Sequence, residues 1–156
     1  MRPEAALTDP DPRIELCDAL NHALADTTVT TMLAQNFHWN VTGMAFSQLH
    51  KLFQEIYEDH FQAQDDLAER IKALDGYADG NLARMLQRSE IVEQVGEASA
   101  HEMLSSLLDA EVTLAAAVKR CGERAANHGD TLTEDLCIAR GQVHEKFAWM
   151  LRAHLS

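Results

Sequence analysis

The stretch FSQLHKLFQEIYEDHFQAQDDLAERIKALD, residues 46–75, decides the fold of this 156-residue chain. Apolar side chains recur there every three or four positions, which is the spacing of one face of an α-helix. Gly76 follows and supplies a helix stop. The pattern predicts one long amphipathic helix. The residues that share its apolar face are Leu49, Leu52, Phe53, Ile56, Tyr57, His60, Phe61, Gln64, Leu67, Ala68, Ile71 and Leu74.

The rest of the chain shows three more long helical patterns and no strand pattern or repeat. Asp11 and Pro12 are favoured as the cap and first residue of a helix, which carries Ile14, Cys17, Leu20, Leu24 and Met32 at helical spacing. Asp130 or Thr131 can cap the last helix. We expect long helices over 12–39, 46–75, 98–127 and 131–155, a break at 40–43 and a short helical piece at 81–88.

These elements predict an all-α four-helix bundle with a short extra helix in the connection between the second and third long helices. Its length is that of a single domain, 1–156, and residues 1–11 are expected to form a short flexible tail. The three cysteines have no C-x-x-C spacing and are expected to be reduced thiols. No membrane span or apolar leader is visible, so we expect a soluble, cytoplasmic protein.

The net charge is −12, from 25 acidic against 13 basic residues. Such a surface attracts cations and repels nucleic acid phosphates. The segment before the first helix, MRPEAALTDPD, is also acidic. We therefore do not expect DNA binding.

Two pairs of polar residues lie beside the apolar face of the second long helix. His50 with Gln54 and Asp65 with Glu69 are each four residues apart, so each pair is stacked on adjacent turns. A solvated helix face explains either pair without a function. The pairs lie fifteen residues apart, about 22 Å along the helix, which is too far for one metal centre within one chain. Either they are unrelated, or antiparallel copies of this helix bring them together between two subunits.

Three stretches, FHWNVTGMAFSQLHKLF (37–53), DDLAERIKAL (65–74) and VHEKFAWMLRAHL (143–155), resemble the Dps-like branch of the ferritin superfamily, the mini-ferritins. The resemblance extends over nearly the whole chain, from about residue 14 to 155. It implies a hollow dodecamer that oxidises Fe(II), typically with hydrogen peroxide, and stores the ferric mineral. Such a protein serves iron homeostasis and protects against oxidative stress.

The resemblance also implies a ferroxidase centre across a two-fold interface. His38 and His50 would come from one subunit, and Asp65 and Glu69 from its partner. The family has an aspartate four residues after the second histidine, where this chain has Gln54. A neutral amide oxygen is a poorer ligand for a hard cation, so we expect a weakened site. Glu58 lies about 12 Å along the helix from His50, so we do not expect it to replace the missing ligand.

Several other polar and aromatic residues have two interpretations each. Trp39 is either core filler or, as the resemblance implies, a flank of the metal centre, whereas Trp149 is interpreted as packing. His60 is interpreted as a core histidine. No ligand spacing is found for His60 or for the remaining histidines, which are His22, His101, His128, His144 and His154.

Acidic residues at the start of the last helix, Asp130, Glu134 and Asp135, fit either a helix N-terminus or, by the resemblance, a pore on a three-fold axis. Ferritins carry Glu-x-x-His motifs in the bundle core, and this motif is absent from the sequence. Two hypotheses follow. One is a ferroxidase with ligands His38, His50, Asp65 and Glu69 and a weak ligand Gln54; the other is a non-catalytic shell with a weakened metal site.

Overall fold

The computed structural model describes residues 10–156, which form five α-helices and no strand. The helices are α1 Pro12–Asn40, α2 Phe46–Ala73, α3 Leu82–Arg88, α4 Ala100–Asn127 and α5 Thr131–Leu155. The all-α prediction is confirmed, and each predicted helix end lies within two residues of the observed one. Most of the predicted flexible tail lies outside the described residues, so that prediction remains open.

Side-chain caps explain where three of the long helices begin. Asp11 accepts a hydrogen bond from the backbone N–H of Arg13 at 3.0 Å. Ser99 and Glu102 form a reciprocal capping box at the start of α4. Asp130 accepts from the backbone N–H of Thr133 at 3.0 Å and caps α5. These caps satisfy backbone donors that the first turn of a helix leaves free.

The four long helices pack as two pairs, α1 along α2 and α4 along α5. Contacts between α1 and α4 join the pairs, and α3, in the connection between α2 and α4, packs against α1. This is the predicted four-helix bundle with its short extra helix. Among residues 10–156, none of the helices has an apolar stretch long enough to cross a lipid bilayer. The three cysteines are free thiols, as expected.

The core consists of two apolar clusters with a polar layer between them. On α2, His60 lies between Ile56 of one cluster and Leu67 of the other. On α4, Glu111 follows Ala110 of the first cluster and precedes Val118 of the second. The middle of the bundle therefore contains ionisable side chains where most bundles contain apolar ones.

Some residues predicted on the apolar helix faces lie on the surface of the single chain. Ile14 is 68% exposed, Met32 48% and Phe61 72%. The prediction that they face the core is wrong for one chain, because the apolar stripes of α1 and α2 are wider than the face that these two helices bury against the rest of the bundle. Met32 and Phe61 line a common pocket, and Ile14 lies near the start of α1.

Candidate functional site

His38 and His50 face each other across the turn between α1 and α2. The Nδ1 atom of His38 lies 2.6 Å from the carbonyl oxygen of His50, and Nδ1 of His50 lies 2.7 Å from the carbonyl oxygen of His38. A carbonyl oxygen only accepts hydrogen bonds, so each Nδ1 carries the proton. Each Nε2 is then left with a lone pair, the form in which imidazole binds a metal.

Aromatic packing fixes the orientation of both rings. The imidazoles of His38 and His50 are stacked, with centroids 3.7 Å apart and planes 17° apart. Phe46 stacks at 5.0 Å from His50, and Tyr57 meets His38 edge-on at 5.3 Å. His38 is only 9% exposed. The two candidate ligands are therefore held in place before any metal arrives.

Gln54 lies one turn beyond His50 and is held by Glu58. Its amide nitrogen donates a hydrogen bond to the Glu58 carboxylate at 2.8 Å. Only the NH₂ group can donate to a carboxylate, so this contact also determines which side of the amide is oxygen. Within the described residues, Oε1 of Gln54 makes no hydrogen bond and remains available as a weak ligand.

Asp65 and Glu69 lie on α2 beyond the histidine pair and are both exposed. Within residues 10–156, no group of three potential ligands forms around His38 and His50. One chain thus brings together the two histidines, with Gln54 one turn away, and leaves the two carboxylates apart from them. Assembly of all five residues between subunits stays a prediction.

A second histidine cluster lies in the polar layer of the bundle. Nε2 of His60 on α2 is 2.6 Å from one oxygen of Glu111 on α4, and Nδ1 of His144 on α5 is 2.7 Å from the other oxygen. All three side chains are fully buried. His60 is confirmed as a core histidine, and the fold brings it together with His144 although no ligand spacing in the sequence relates them. Their separation of 84 positions carries no signal, because different helices supply them.

Asp59 and Arg140 extend this cluster. Asp59 accepts a hydrogen bond from Nδ1 of His60 at 2.9 Å and from Arg140 at 2.8 and 3.3 Å. Burial opposes the charged forms, but Glu111 and Asp59 outweigh it and raise the pKa of His60 above its ordinary value. The charge of His60 and hydrogen bonds from both histidines hold the pKa of Glu111 below its usual range, against burial. For His144, burial prevails and lowers the pKa.

Comparison with known proteins identifies the family. Residues 17–156 match the model of the ferritin family, described as a ferritin-like domain. The DNA protection during starvation protein of Brevibacillus brevis is 37% identical over 136 residues, which cover 87% of this chain and 91% of that protein. The chain belongs to the Dps branch of the ferritin superfamily. The Dps-like resemblance of its sequence is thereby confirmed.

Solved Dps structures share the fold over nearly the whole chain. Dps from Staphylococcus aureus superposes with a TM-score of 0.89 at 34% identity and covers 92% of this chain and 96% of its own. The Vibrio cholerae O1 Dps protein, described as a member of a superfamily of ferritin-like diiron-carboxylate proteins, gives 0.89 at 32% identity, covering 93% and 91%. Membership in this family supports iron binding by the chain.

Both tryptophans of this Dps chain lie on the surface. Trp39, next to His38, is 61% exposed, and Trp149 is 63% exposed. The core interpretation of Trp39 and the packing interpretation of Trp149 are therefore wrong for a single chain. A place for Trp39 beside the metal centre stays a prediction.

Of the three acidic residues at the start of α5, only Asp130 has a role in the fold that the contacts define. Asp130 caps α5 and pairs with Arg70 at 3.0 Å. Burial opposes its ionisation, but hydrogen bonds from Thr133 and Arg70 outweigh burial and lower the pKa of Asp130. This matches the helix N-terminus interpretation for Asp130. Glu134 is half-buried and Asp135 exposed, and a pore role for them stays a prediction.

Proposed function

We propose that this chain is a mini-ferritin that oxidises Fe(II), with hydrogen peroxide as the oxidant, at a site shared between two subunits. The ferric product is stored inside a hollow shell of identical chains, a dodecamer, in the cytoplasm. Removing Fe(II) and peroxide together protects the cell from oxidative stress. Fe(II) and peroxide are thus the substrates.

The observation that carries this proposal is the His38–His50 pair. Each ring donates its Nδ1 proton to the backbone carbonyl of the other residue, at 2.6 and 2.7 Å. Metal-ligating histidines usually have their second nitrogen fixed by such a partner. Both Nε2 atoms are then left with lone pairs that can bind a metal.

Two exposed features support a partner subunit. The carboxylates of Asp65 and Glu69 lie on the same helix as His50, so an antiparallel copy of α2 places them beside the partner's histidines. Exposed Met32, Phe61 and Leu86 line a common apolar pocket on α1, α2 and α3. An apolar patch of this kind on a protein surface favours association with another chain.

The chemistry requires little beyond ligands and charge. Two Fe(II) ions each lose one electron, the O–O bond of peroxide breaks, and with two protons the oxygens leave as two waters. His38 and His50 bind through Nε2, while Asp65 and Glu69 supply negative charge that favours the ferric state. Gln54 adds at most a neutral oxygen. The net charge of −12 per chain attracts Fe(II) to the shell.

The alternative is a non-catalytic shell whose site binds a divalent metal weakly. The observation that favours it is Gln54, whose amide nitrogen is tied to Glu58 at 2.8 Å in the position where the family has a carboxylate. Without that carboxylate, the centre has one negative charge fewer for the ferric product.

A subunit-mixing experiment tests the shared site. One chain carries His38→Ala and His50→Ala, and the other carries Asp65→Ala and Glu69→Ala. Each alone should lose ferroxidase activity. In a mixed dimer, one of two sites regains every native ligand, so co-refolding equal amounts should restore roughly a quarter of wild-type activity. No recovery in correctly assembled shells would contradict the shared site.

A second experiment distinguishes the two functions. Fe(II) is added anaerobically to wild type and to Gln54→Asp, then peroxide, and ferric absorbance is followed. Fast oxidation in both supports the ferroxidase. Fast oxidation in the variant alone supports the non-catalytic shell, since the missing carboxylate would then be the reason for the low activity.

A further inference from the structure

The polar layer of the bundle has an unbalanced set of fixed charges. It contains two carboxylates, Asp59 and Glu111, and one guanidinium, Arg140, which pairs with Asp59 at 2.8 Å. Glu111 is fully buried and, among the described residues, has no Arg or Lys within ion-pair distance, only the two histidines. A buried carboxylate without a cation is very costly. A proton shared with the histidines or a metal ion must therefore balance it.

We propose that His60, Glu111 and His144 form a second metal site, within one chain, that binds one divalent transition-metal ion such as Zn²⁺. This site is separate from the intersubunit iron site and does not depend on the function proposed above. Two imidazoles and one carboxylate are a common ligand set for Zn²⁺, and for Fe²⁺ where open positions remain.

The distances fit an ion after a small expansion of the cluster. One donor atom from each residue lies within 4.8 Å of the others. Around a tetrahedral ion with bonds of about 2.0–2.1 Å, neighbouring ligand atoms are about 3.3 Å apart. The present nitrogen–oxygen separations are 2.6 and 2.7 Å. Side chains on three helices therefore need to separate by less than about 1 Å at each contact.

The surroundings of His60 are those of a metal ligand. Its Nδ1 donates to Asp59 at 2.9 Å, and Arg140 in turn holds Asp59 with two contacts. A carboxylate behind a ligating histidine fixes the ring and makes the other nitrogen a better ligand. Here that other nitrogen, Nε2, points at Glu111.

His144 supplies a place for a displaced proton. Its Nδ1 faces Glu111, whereas its buried Nε2 has no hydrogen-bond partner among the described residues. Metal binding removes the protons that His60 and His144 share with Glu111. One of them moves to Nε2 of His144, which breaks no existing hydrogen bond, and the other leaves to solvent. Both rings then bind the ion as neutral imidazoles.

The test uses the full chain with the intersubunit histidines removed, His38→Ala/His50→Ala, so that only the core cluster offers imidazole pairs. Because the cluster is fully buried, the ion is expected to enter during folding. The protein is unfolded with chelator and refolded with Zn²⁺ or Co²⁺. After a chelator wash, metal per chain is measured by mass spectrometry, and Co²⁺ geometry by its visible absorption.

We expect about one retained ion per chain, with the intense visible bands of four-coordinate Co²⁺. Adding Glu111→Gln should abolish retention, and adding Asp59→Asn should weaken binding by about 10–100-fold. Asp109→Asn, at an exposed position of the same helix, is the matched control and should change nothing.

The proposal is overturned if the folded His38→Ala/His50→Ala protein retains no ion, or if Glu111→Gln retains as much. If Glu111→Gln does not fold, X-ray absorption of the Zn²⁺ form decides. Two imidazoles per ion support the site, and a shell of oxygens alone excludes it. Loss of ferroxidase activity in this background concerns only the iron site and does not affect the result.

Discussion

The two histidine pairs of this chain differ in what faces their ring nitrogens. In the His38–His50 pair, backbone carbonyls accept from Nδ1, and neither Nε2 has a hydrogen-bond partner within residues 10–156. In the His60–His144 pair, the Glu111 carboxylate lies against one nitrogen of each ring, and Asp59 lies against the other nitrogen of His60. The first pair lies at one end of α1 and α2, close to the surface, and the second is sealed in the middle of the bundle.

This difference shows why the two regions need different partners. The carbonyls near His38 and His50 bring no net charge, so that site still lacks its anionic ligands. Glu111 brings a full negative charge to the buried pair, and in the metal-free protein the raised pKa of His60 lets a proton on that ring balance it. In the proposals above, the His38–His50 site needs a second chain for its carboxylates, whereas the core site takes all its ligands from one chain.

Removal of Glu111 should have the largest effect on the stability of the chain. Glu111→Ala leaves two buried imidazoles without their shared acceptor and opens a cavity. We expect a loss of roughly 3–5 kcal/mol in the free energy of unfolding, as for broken buried ion pairs. Urea unfolding at one fixed protein concentration measures it. Asp109→Ala, on the exposed face, should change the free energy of unfolding by no more than about 0.5 kcal/mol. An equally small change for Glu111→Ala would mean that the buried histidines do not depend on Glu111.

At the surface pair, adding the missing charge should strengthen metal binding. Gln54→Asp is expected to raise Fe(II) affinity about tenfold, ~1.4 kcal/mol, because a carboxylate replaces an amide oxygen. Anaerobic calorimetry with Fe(II) measures it. Repulsion between the new Asp and Glu58 reduces the gain, so Glu58→Gln in the same chain should restore it. An affinity unchanged by either substitution would mean that position 54 does not face the metal.

Asp130 is intermediate in burial between Glu111 and the exposed acidic residues. Its side chain is 16% exposed and that of its partner Arg70 is 19% exposed. Asp130→Asn keeps the cap and removes the charge, and should cost about 1 kcal/mol at pH 7. The pKa of Asp130 is lowered on folding, so its contribution is present above the unfolded pKa and disappears as pH falls through the folded one.

Wild type and Asp130→Asn should therefore converge in stability as the pH is lowered through the folded pKa of Asp130. Urea unfolding at a series of pH values from 7 downward checks this. Asp135→Asn, at an exposed position one turn further along α5, serves as the control and should show no such convergence. A difference that stays constant with pH would mean that charge is not the reason for the loss.

Helix positions could be predicted closely because caps and apolar spacing are local. Asp11, Ser99 and Asp130 begin their helices through contacts within three residues. The exposure of Phe61 could not be predicted, since periodicity indicates an apolar face but not which part of it one chain covers. His38 and His50 could be predicted as ligands because both lie in one contiguous stretch, residues 37–53, that resembles the Dps-like proteins.

The core cluster could not be predicted from spacing, because contacts between helices leave no pattern along the chain. His60, Glu111 and His144 come from three helices, and no spacing along the chain relates them. One signal was present in the sequence. His60 and Glu111 are each the lone charged or imidazole side chain on the buried face of their helix, and His144 shares the buried face of α5 with Arg140. A buried ionisable group needs a partner. Buried ionisable residues on different helices of one bundle are therefore expected to contact one another.

The smallest predicted effect concerns the two tryptophans, which are equally exposed and differ in their neighbours. Trp39 follows His38 directly, at 61% exposure against 63% for Trp149. Co²⁺ bound at the surface pair should quench the fluorescence of Trp39 more strongly than that of Trp149. The single-tryptophan variants Trp149→Phe and Trp39→Phe allow each to be measured alone. In both, His50→Ala should remove the metal-dependent quenching that belongs to this site. Equal quenching of the two tryptophans would mean that the metal binds elsewhere on the acidic surface and not at His38 and His50.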